Sequence, residues 1–438
     1  MEEVVKFGGG ASTSILSPLG IIVLIITIIL ILLLPREKII FVVLAFFLFI
    51  PQGQQIYIGG VHLYLYRIVT LVTLIKCINI KSVGESVSFI GGWNSVDTSF
   101  FFYIFIKAIA FSLQYKSSGA IIHQVALFID TFGIYLSLRF LLVDTDDIER
   151  VLKFLSFIYA VLAVTMLIEQ VYNFNLFGYI SGNFVPEIRN DSIRSSGSFR
   201  HALTAGTTGA AALPLFFYLW FRGEQKKNAV LGMVAATIMV ITSHSSGPLL
   251  AYVAGILALL LWPLRNSMRL LRRGLVFSLL ILHFVMKAPV WFIIAKIDLT
   301  GSSSSYHRAN LVDQFIKHFG DWWLIGTPEY GTWGWFLWDV QNQYVSVGLN
   351  GGLGALIFFI AIFVYCFSMI GKARINAYNE QKERFLWALG ASLFSYIIGF
   401  IGVNIFDQSQ VIWFMLLAFI SVATINRSKS SESIGSSK

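Results

Sequence analysis

Long runs without a charged side chain constrain the fold of this chain more than any other feature. Between Gly8 and Pro35 there is no charged residue, and similar apolar runs recur along the sequence. A helix needs about 20 mostly apolar residues to cross a bilayer, where every backbone N–H and C=O group must bond internally. The runs are continuous rather than alternating, which indicates helices. The sequence therefore predicts an all-α, polytopic transmembrane helical bundle.

Apolar segments of suitable length predict about 12–13 spans, the second of which is short. The chain is 56% hydrophobic and 13% charged, whereas soluble domains are about 25% charged. We expect one integral membrane domain over residues 1–426 and a disordered cytoplasmic tail over 427–438. The apolar segments are 16–35, 39–51, 60–79, 98–114, 119–142, 150–172, 202–221, 228–243, 247–264, 273–293, 350–371, 384–403 and 408–425.

Basic residues cluster in alternate loops, which the positive-inside rule assigns to the cytoplasm together with the C-terminus. These loops also explain the net charge of +9, so no nucleic-acid partner is expected. Cys77 and Cys366 lack metal-ligand spacing, and we expect no metal and no cofactor. The exoplasmic face receives the loops 173–201, 244–248 and 294–349. Because long structured loops are usually functional, we expect the activity on this face.

The first long outer loop ends in EIRNDSIRSSGSFRHALTAGTTG, residues 187–209. Its arginines, among them Arg194 and Arg200, precede a predicted helix. Guanidinium groups beside a helix N-terminus suit an anionic ligand such as a diphosphate. Alternatively, they hold lipid headgroups or pair with Glu187 and Asp191.

The large outer loop, residues 294–349, contains the stretch GSSSSYHRANLVDQFIKHF. Its apolar residues have the spacing of one helix face, which predicts a short amphipathic helix on the membrane surface. His307 and Arg308 lie at the N-terminal end of this helix, where an anion would be held. The alternative is a purely structural interfacial helix. The apolar face consists of Leu311, Val312, Phe315, Ile316 and Phe319.

The stretch DWWLIGTPEYGTWGWFLWDVQNQY, residues 321–344, holds five of the 11 tryptophans. Tryptophan gathers at membrane interfaces, so anchoring is one interpretation. The mixture with carboxylate and amide side chains favours contact with a carbohydrate or glycolipid. The candidate glycan-binding residues are Trp322, Trp323, Trp333, Trp335, Gln341, Asn342, Gln343 and Tyr344.

Three blocks of the sequence resemble the O-antigen ligase and polymerase superfamily of bacterial polysaccharide assembly. They are IRSSGSFRHALTAGT, TSHSSGPLLAYVAG, and HRANLVDQFIKHFGDWWLIGT followed by WDVQNQYVSVGLNGGLGALIFF. The similarity covers about residues 160–370. It implies a GT-C type membrane glycosyltransferase in the bacterial cytoplasmic (inner) membrane, with its active face exoplasmic. Its implied partners are a polyprenyl-diphosphate-linked oligosaccharide, a glycan acceptor, membrane lipids, and a chain-length regulator or other polysaccharide-assembly proteins.

The resemblance also implies roles for individual residues. Arg194 matches the family arginine that grips the diphosphate, and Arg200 and Arg308 are supporting candidates. The family implies only that an outer-loop residue activates the acceptor hydroxyl; in this chain Asp339 or His307 could accept its proton.

Two positions depart from the ligases of this family. Ligases typically carry a His-Asn-x-Tyr element where this chain has Gln341 to Tyr344, and glutamine cannot act as a general base. Many members have an arginine where this chain has Ser246. We therefore expect an O-antigen or exopolysaccharide polymerase. The alternatives are a ligase that transfers glycan to lipid A core or another acceptor, and a lipid-linked glycan transporter.

Overall fold

The computed structural model describes residues 14–58, 61–82, 89–189, 191–296 and 304–425. The structure is about 75% helical, which confirms the all-α prediction. The predicted tail over 427–438 and residues 297–303 of the large loop lie outside the described residues.

The described residues form eighteen α-helices, which we number in chain order. Each of the predicted apolar segments overlaps one helix, with two exceptions: 119–142 is built from α5 and α6 joined by a π-helical turn at Ile129–Gly133, and 273–293 runs from α12 through a 3-10 turn at Val290–Phe292 to the start of α13. The helices are α1 (Pro18–Leu33), α2 (Arg36–Phe49), α3 (Leu65–Ser82), α4 (Ser95–Tyr115), α5 (Ser118–Phe128), α6 (Ile134–Leu141), α7 (Thr145–Tyr172), α8 (Gly178–Ser181), α9 (Ala202–Trp220), α10 (Lys226–Thr242), α11 (Ser246–Leu260), α12 (Met268–Val285), α13 (Ile293–Lys296), α14 (Ser304–Lys317), α15 (Phe319–Trp322), α16 (Gln343–Ile375), α17 (Glu380–Gly399) and α18 (Gln408–Ala423).

Fewer of these helices have the full length of a membrane span than the sequence suggests. Among the described residues, five are long and apolar enough to cross a membrane: α4, the α5–α6 pair, α7, α9 and α16. Helix α11 and the segment Trp262–Val285, bent by 79°, would form a sixth if they count as one span. The prediction of about 12–13 spans also counts shorter apolar helices, such as α1 and α18 with 16 residues each.

The loops that carry the basic clusters meet at one end of the bundle, which we call the basic end. Arg222 lies 2.8 Å from Glu149, at the start of α7. Arg265 and Arg374, from different loops, both pair with Glu383, at 3.2 and 2.7 Å. The Arg222–Glu149 and Arg265–Glu383 pairs connect segments that are far apart in the sequence.

The opposite end, which we call the polar end, collects the predicted outer loops. Gln54 donates a hydrogen bond to the carbonyl of Ile180 at 2.9 Å, and Gln408 donates to that of Ser198 at 2.8 Å. Two short antiparallel hairpins that the sequence analysis did not predict also lie here. They are β1 (Gln55–Ile58) with β2 (Val61–Tyr64), and β3 (Glu187–Arg189) with β4 (Ser192–Arg194).

The described part of the large loop packs as a unit on α16. The ring of Trp322 stacks on that of Phe315 with 3.9 Å between centroids, and its indole N–H donates to the Phe315 carbonyl at 2.7 Å. Leu311, Val345 and Leu349 complete this small core. The predicted helix is present as α14, but Ile316 and Phe319 of the predicted apolar face are exposed, whereas Arg308 and Asp313 of the predicted polar face are buried.

Gly352 interrupts the regular geometry of α16 where the large loop packs against it, so substituting this residue tests the packing. Its φ of 67° is left-handed, and a Cβ there would lie 2.5 Å from the carbonyl oxygen of Leu324. Gly352→Ala should lower the free energy of unfolding by about 1–3 kcal/mol, measured by thermal unfolding in detergent. Gly371→Ala is the control, because Gly371 lies in the same helix with open space around it. Equal unfolding midpoints for the two variants would contradict this account.

Candidate functional site

A cleft of about 990 Å³ opens at the polar end. Four separate segments line it: 187–203, 306–310, 335–341 and 403–406. They bring together side chains from the first outer loop, the large loop and the segment before α18. The predicted site residues that line the cleft are Arg194, His307, Trp335, Asp339 and Gln341.

Arg194 is buried at the wall of the cleft, with 5% of its surface exposed. Its Nη1 pairs with the carboxylate of Glu187, its cross-strand neighbour in the β3–β4 hairpin. Its Nη2 donates to the hydroxyl of Ser245 at 2.6 Å, and that hydroxyl donates to the carbonyl of Ser243. The ion pair with Glu187, one of the alternatives from the sequence, is therefore present.

Arg308 is held by the next serine along the chain, Ser246, which is the first residue of α11. It is buried, with 6% exposed, and its Nη1 donates to the hydroxyl of Ser246 at 3.0 Å. A Cβ at Gly402 would lie 3.1 Å from the Arg308 Nε, so the chain passes closely over the guanidinium. Two arginines from different outer loops are thus fixed by adjacent serines between α10 and α11.

The backbone of Asp339 fixes the orientation of His307. The His307 Nε2 lies 3.1 Å from the Asp339 carbonyl oxygen. Because a carbonyl oxygen can only accept, Nε2 carries the proton in this contact, and Nδ1 of a neutral ring keeps its lone pair. The Asp339 carboxylate accepts a 2.6 Å hydrogen bond from the Gln341 amide. Of the two predicted bases, His307 therefore has the better-defined acceptor atom.

His201 also lines the cleft, although it was not among the predicted catalytic residues. It precedes α9, and its ring meets that of Phe406 edge-on, with 5.5 Å between centroids. Burial and then the charge of Arg200 lower the pKa of the His201 imidazole below its ordinary value. This shift favours the neutral form of the ring.

Arg200 is exposed and is not among the residues that line the cleft. Its charge acts instead on Asp407: burial raises the pKa of the Asp407 carboxyl to about 6, although Arg200 lowers it. The Asp407 Oδ2 has no hydrogen-bond partner among the described residues. The sequence held a signal for this residue, because Asp407 is the only charged residue between Arg384 and Arg427, and isolated charges in apolar segments are often functional.

The tryptophans of the large loop divide into exposed and packed groups. Trp335 is 86% exposed and Trp338 is 65% exposed, and both line the cleft. Trp322 is 3% exposed and belongs to the loop core, and it is not among the residues that line the cleft; its role in glycan binding stays a prediction. Trp333 stacks on His318 at 4.6 Å. Trp323 is exposed but is not among the residues lining the cleft.

Asn342, Gln343 and Tyr344, predicted to bind glycan, instead hold α16 in place. Asn342 caps α16 by accepting the N–H of Val345 at 3.1 Å. Gln343 accepts the N–H of Ile405 at 2.8 Å, and Tyr344 donates to a carbonyl of α17 at 3.0 Å. These contacts place the three side chains in the packing around α16, and glycan binding by them stays a prediction.

Comparisons with known proteins do not assign this chain to a family. No family model matches the sequence, and no curated protein matches it. The resemblance to polysaccharide polymerases and ligases therefore rests on its three sequence blocks. The function has to be argued from the residues of the cleft.

The contact between Arg194 and Glu187 makes a direct prediction about anion binding. An incoming phosphate has to replace the Glu187 carboxylate on the guanidinium, because charge-assisted hydrogen bonds compete for the same N–H groups. Glu187→Gln should therefore tighten the binding of pyrophosphate to the detergent-solubilised protein by about 10-fold. Isothermal titration calorimetry would measure this change.

Glu329→Gln provides the matched control. Glu329 is an exposed carboxylate of the large loop, and its substitution removes the same charge as Glu187→Gln does. It should leave pyrophosphate affinity unchanged. If Glu187→Gln binds pyrophosphate no more tightly than wild type, the exchange between carboxylate and phosphate does not occur.

Proposed function

We propose that this protein is a membrane glycosyltransferase that transfers an oligosaccharide from polyprenyl diphosphate to a glycan acceptor, and that it acts as a polysaccharide polymerase. One observation carries the proposal. Two buried guanidinium groups, Arg194 and Arg308, are held by adjacent serines, and a cleft at the same end contains an oriented histidine. Buried, hydrogen-bonded arginines suit a diphosphate, whose oxygens they bind in pairs.

The distribution of charge supports a location in the bacterial cytoplasmic membrane. The basic end would face the cytoplasm by the positive-inside rule, and the cleft would open on the exoplasmic side. Helix α18 starts near the polar end, where Gln408 contacts the carbonyl of Ser198. A crossing of the bundle by α18 would leave the C-terminus in the cytoplasm.

Arginine contacts would stabilise the leaving group. The C1–O bond to the diphosphate breaks and negative charge develops on the phosphate oxygens. Arg194, released from Glu187, would bind these oxygens, and Arg308 would add a second positive charge behind them. Removing one such preorganised donor typically costs about 3 kcal/mol of transition-state stabilisation. Arg200, exposed and beside Asp407, remains a supporting candidate.

The acceptor hydroxyl would attack C1 and pass its proton to a base in the cleft. The O–C1 bond forms as the C1–O(phosphate) bond breaks, so direct displacement inverts the anomeric centre. We assign the base to His307, whose Nδ1 keeps its lone pair while Nε2 bonds to the Asp339 carbonyl. The exposed rings of Trp335 and Trp338 would lie against the sugars at the mouth of the cleft.

Gln341 favours a polymerase over a ligase, because ligases of the resembled family have a histidine at the equivalent position. Deleting the gene and analysing the surface glycan tests the proposal. Glycan restricted to a single repeat unit supports a polymerase, whereas long lipid-linked chains point to a ligase. Loss of outer-leaflet intermediates points to a transporter and contradicts the transfer chemistry.

Arg194→Ala should lower glycan transfer by about 100-fold or more, the equivalent of one lost transition-state contact. The measurement is the complementation of the deletion strain together with in vitro transfer from a lipid-linked donor. Arg269→Ala, which removes an exposed arginine at the start of α12, should have no effect. Full transfer by Arg194→Ala would sink the proposal.

His307 and Asp339 should respond differently to substitution. Losing a general base costs about 10²–10⁴-fold, so His307→Ala should lower the rate of transfer by that factor. Asp339→Asn should keep most of the activity, because the contact with His307 comes from the Asp339 backbone. The reverse pattern would assign the base to the Asp339 carboxylate and contradict our assignment.

A further inference from the structure

A buried carboxylate outside the cleft holds the segment that carries the arginines. Glu169, near the end of α7, has 0% of its surface exposed. One of its oxygens accepts the N–H of Gly197 at 2.8 Å, and both accept the N–H of Ser196 at 3.1 Å. Arg194 and Arg200 lie on either side of this short segment. The position of Glu169 therefore bears on how Arg194 reaches the cleft.

The backbone at this point is shaped to receive an anion. Gly197 has a left-handed φ of 59°, and left-handed residues let successive N–H groups converge on one acceptor, forming an anion-binding concavity. A Cβ at Gly197 would lie 3.1 Å from the Met166 side chain, which also favours glycine. A buried charge is costly unless it is hydrogen-bonded, and these N–H groups satisfy the Glu169 carboxylate.

Other contacts hold the same segment from further sides. Asn175 donates to the carbonyl of Gly197 at 2.9 Å, and Ser195 donates its N–H to the carbonyl of Thr242 at 3.0 Å. The second contact joins the segment to α10, directly before the turn that carries Ser245. The geometry between Arg194 and its serine thus depends on how this segment is anchored.

We infer that Glu169 is a positioning residue for the diphosphate site and acts on it through Arg194. This inference rests on the proposed function and deepens it. Glu169 does not line the cleft, so its effect on the ligand has to be indirect. The carboxylate fixes the turn at Ser196 and Gly197, and the turn fixes the direction in which the Arg194 side chain leaves the backbone.

A double-mutant cycle tests this inference with inorganic pyrophosphate as the probe. Glu169→Gln preserves the side-chain shape but removes the charge and one acceptor oxygen, so pyrophosphate affinity should fall by about 10-fold, as small misplacements of binding groups do. Arg194→Ala should weaken binding more. The double variant should bind no more weakly than Arg194→Ala alone, because coupled residues are not additive.

Glu149→Gln is the matched control, since Glu149 is also a buried glutamate of α7. It lies at the basic end, where it accepts a 2.8 Å hydrogen bond from Tyr218 and pairs with Arg222. Thermal unfolding should show that both glutamine variants are destabilised, whereas only Glu169→Gln should lose pyrophosphate affinity. Gly197→Ala provides a second variant that disturbs the same turn and should give the same non-additive loss.

The outcomes separate this inference from the proposed function. Wild-type affinity in Glu169→Gln and Gly197→Ala, or losses that add fully to that of Arg194→Ala, would overturn the role of Glu169 and leave the arginine site intact. If Arg194→Ala binds pyrophosphate as wild type does, the proposed site fails, and the inference fails with it.

Discussion

The contacts between two buried arginines and two adjacent serines are the interactions on which the polar end depends. Arg194 comes from the first outer loop and Arg308 from α14, and both end on the turn between α10 and α11. Burying a guanidinium is expensive unless its N–H groups are satisfied. Each serine hydroxyl accepts a hydrogen bond from one guanidinium group, and the Glu187 carboxylate also pairs with Arg194, so an anion has to displace Glu187 to bind there.

The surrounding packing makes this turn rigid. A Cβ at Gly206 would lie 2.6 Å from the Ser243 hydroxyl oxygen, so glycine lets α9 pack directly against the turn. On the other side, Gly402 lies against Arg308. These close backbone approaches pack Ser243 of the turn and the Arg308 guanidinium from two sides. A preorganised site needs little reorganisation when the ligand binds, and here the required rearrangement is the displacement of Glu187 from Arg194.

The sequence predicted the helices well because continuous hydrophobicity is a local signal. It also selected Arg194, His307 and Asp339, which the fold brings to one cleft although they lie far apart in the chain. It could not predict which polar groups the packing would use. Gln343 and Trp322 have side chains of the kind that bind glycans. In the structure, however, Gln343 accepts the N–H of Ile405 and Trp322 donates to the carbonyl of Phe315. The contacts of Glu169 were equally hidden, because its partners are backbone N–H groups.

The central claim is that the cleft binds the diphosphate of a lipid-linked donor on Arg194. Electron cryomicroscopy of the protein in lipid nanodiscs with polyprenyl diphosphate tests it most directly. We expect diphosphate density within hydrogen-bond distance of the Arg194 guanidinium, with the Glu187 carboxylate displaced from that guanidinium. A lipid diphosphate bound elsewhere, while Arg194 still pairs with Glu187, would contradict the account.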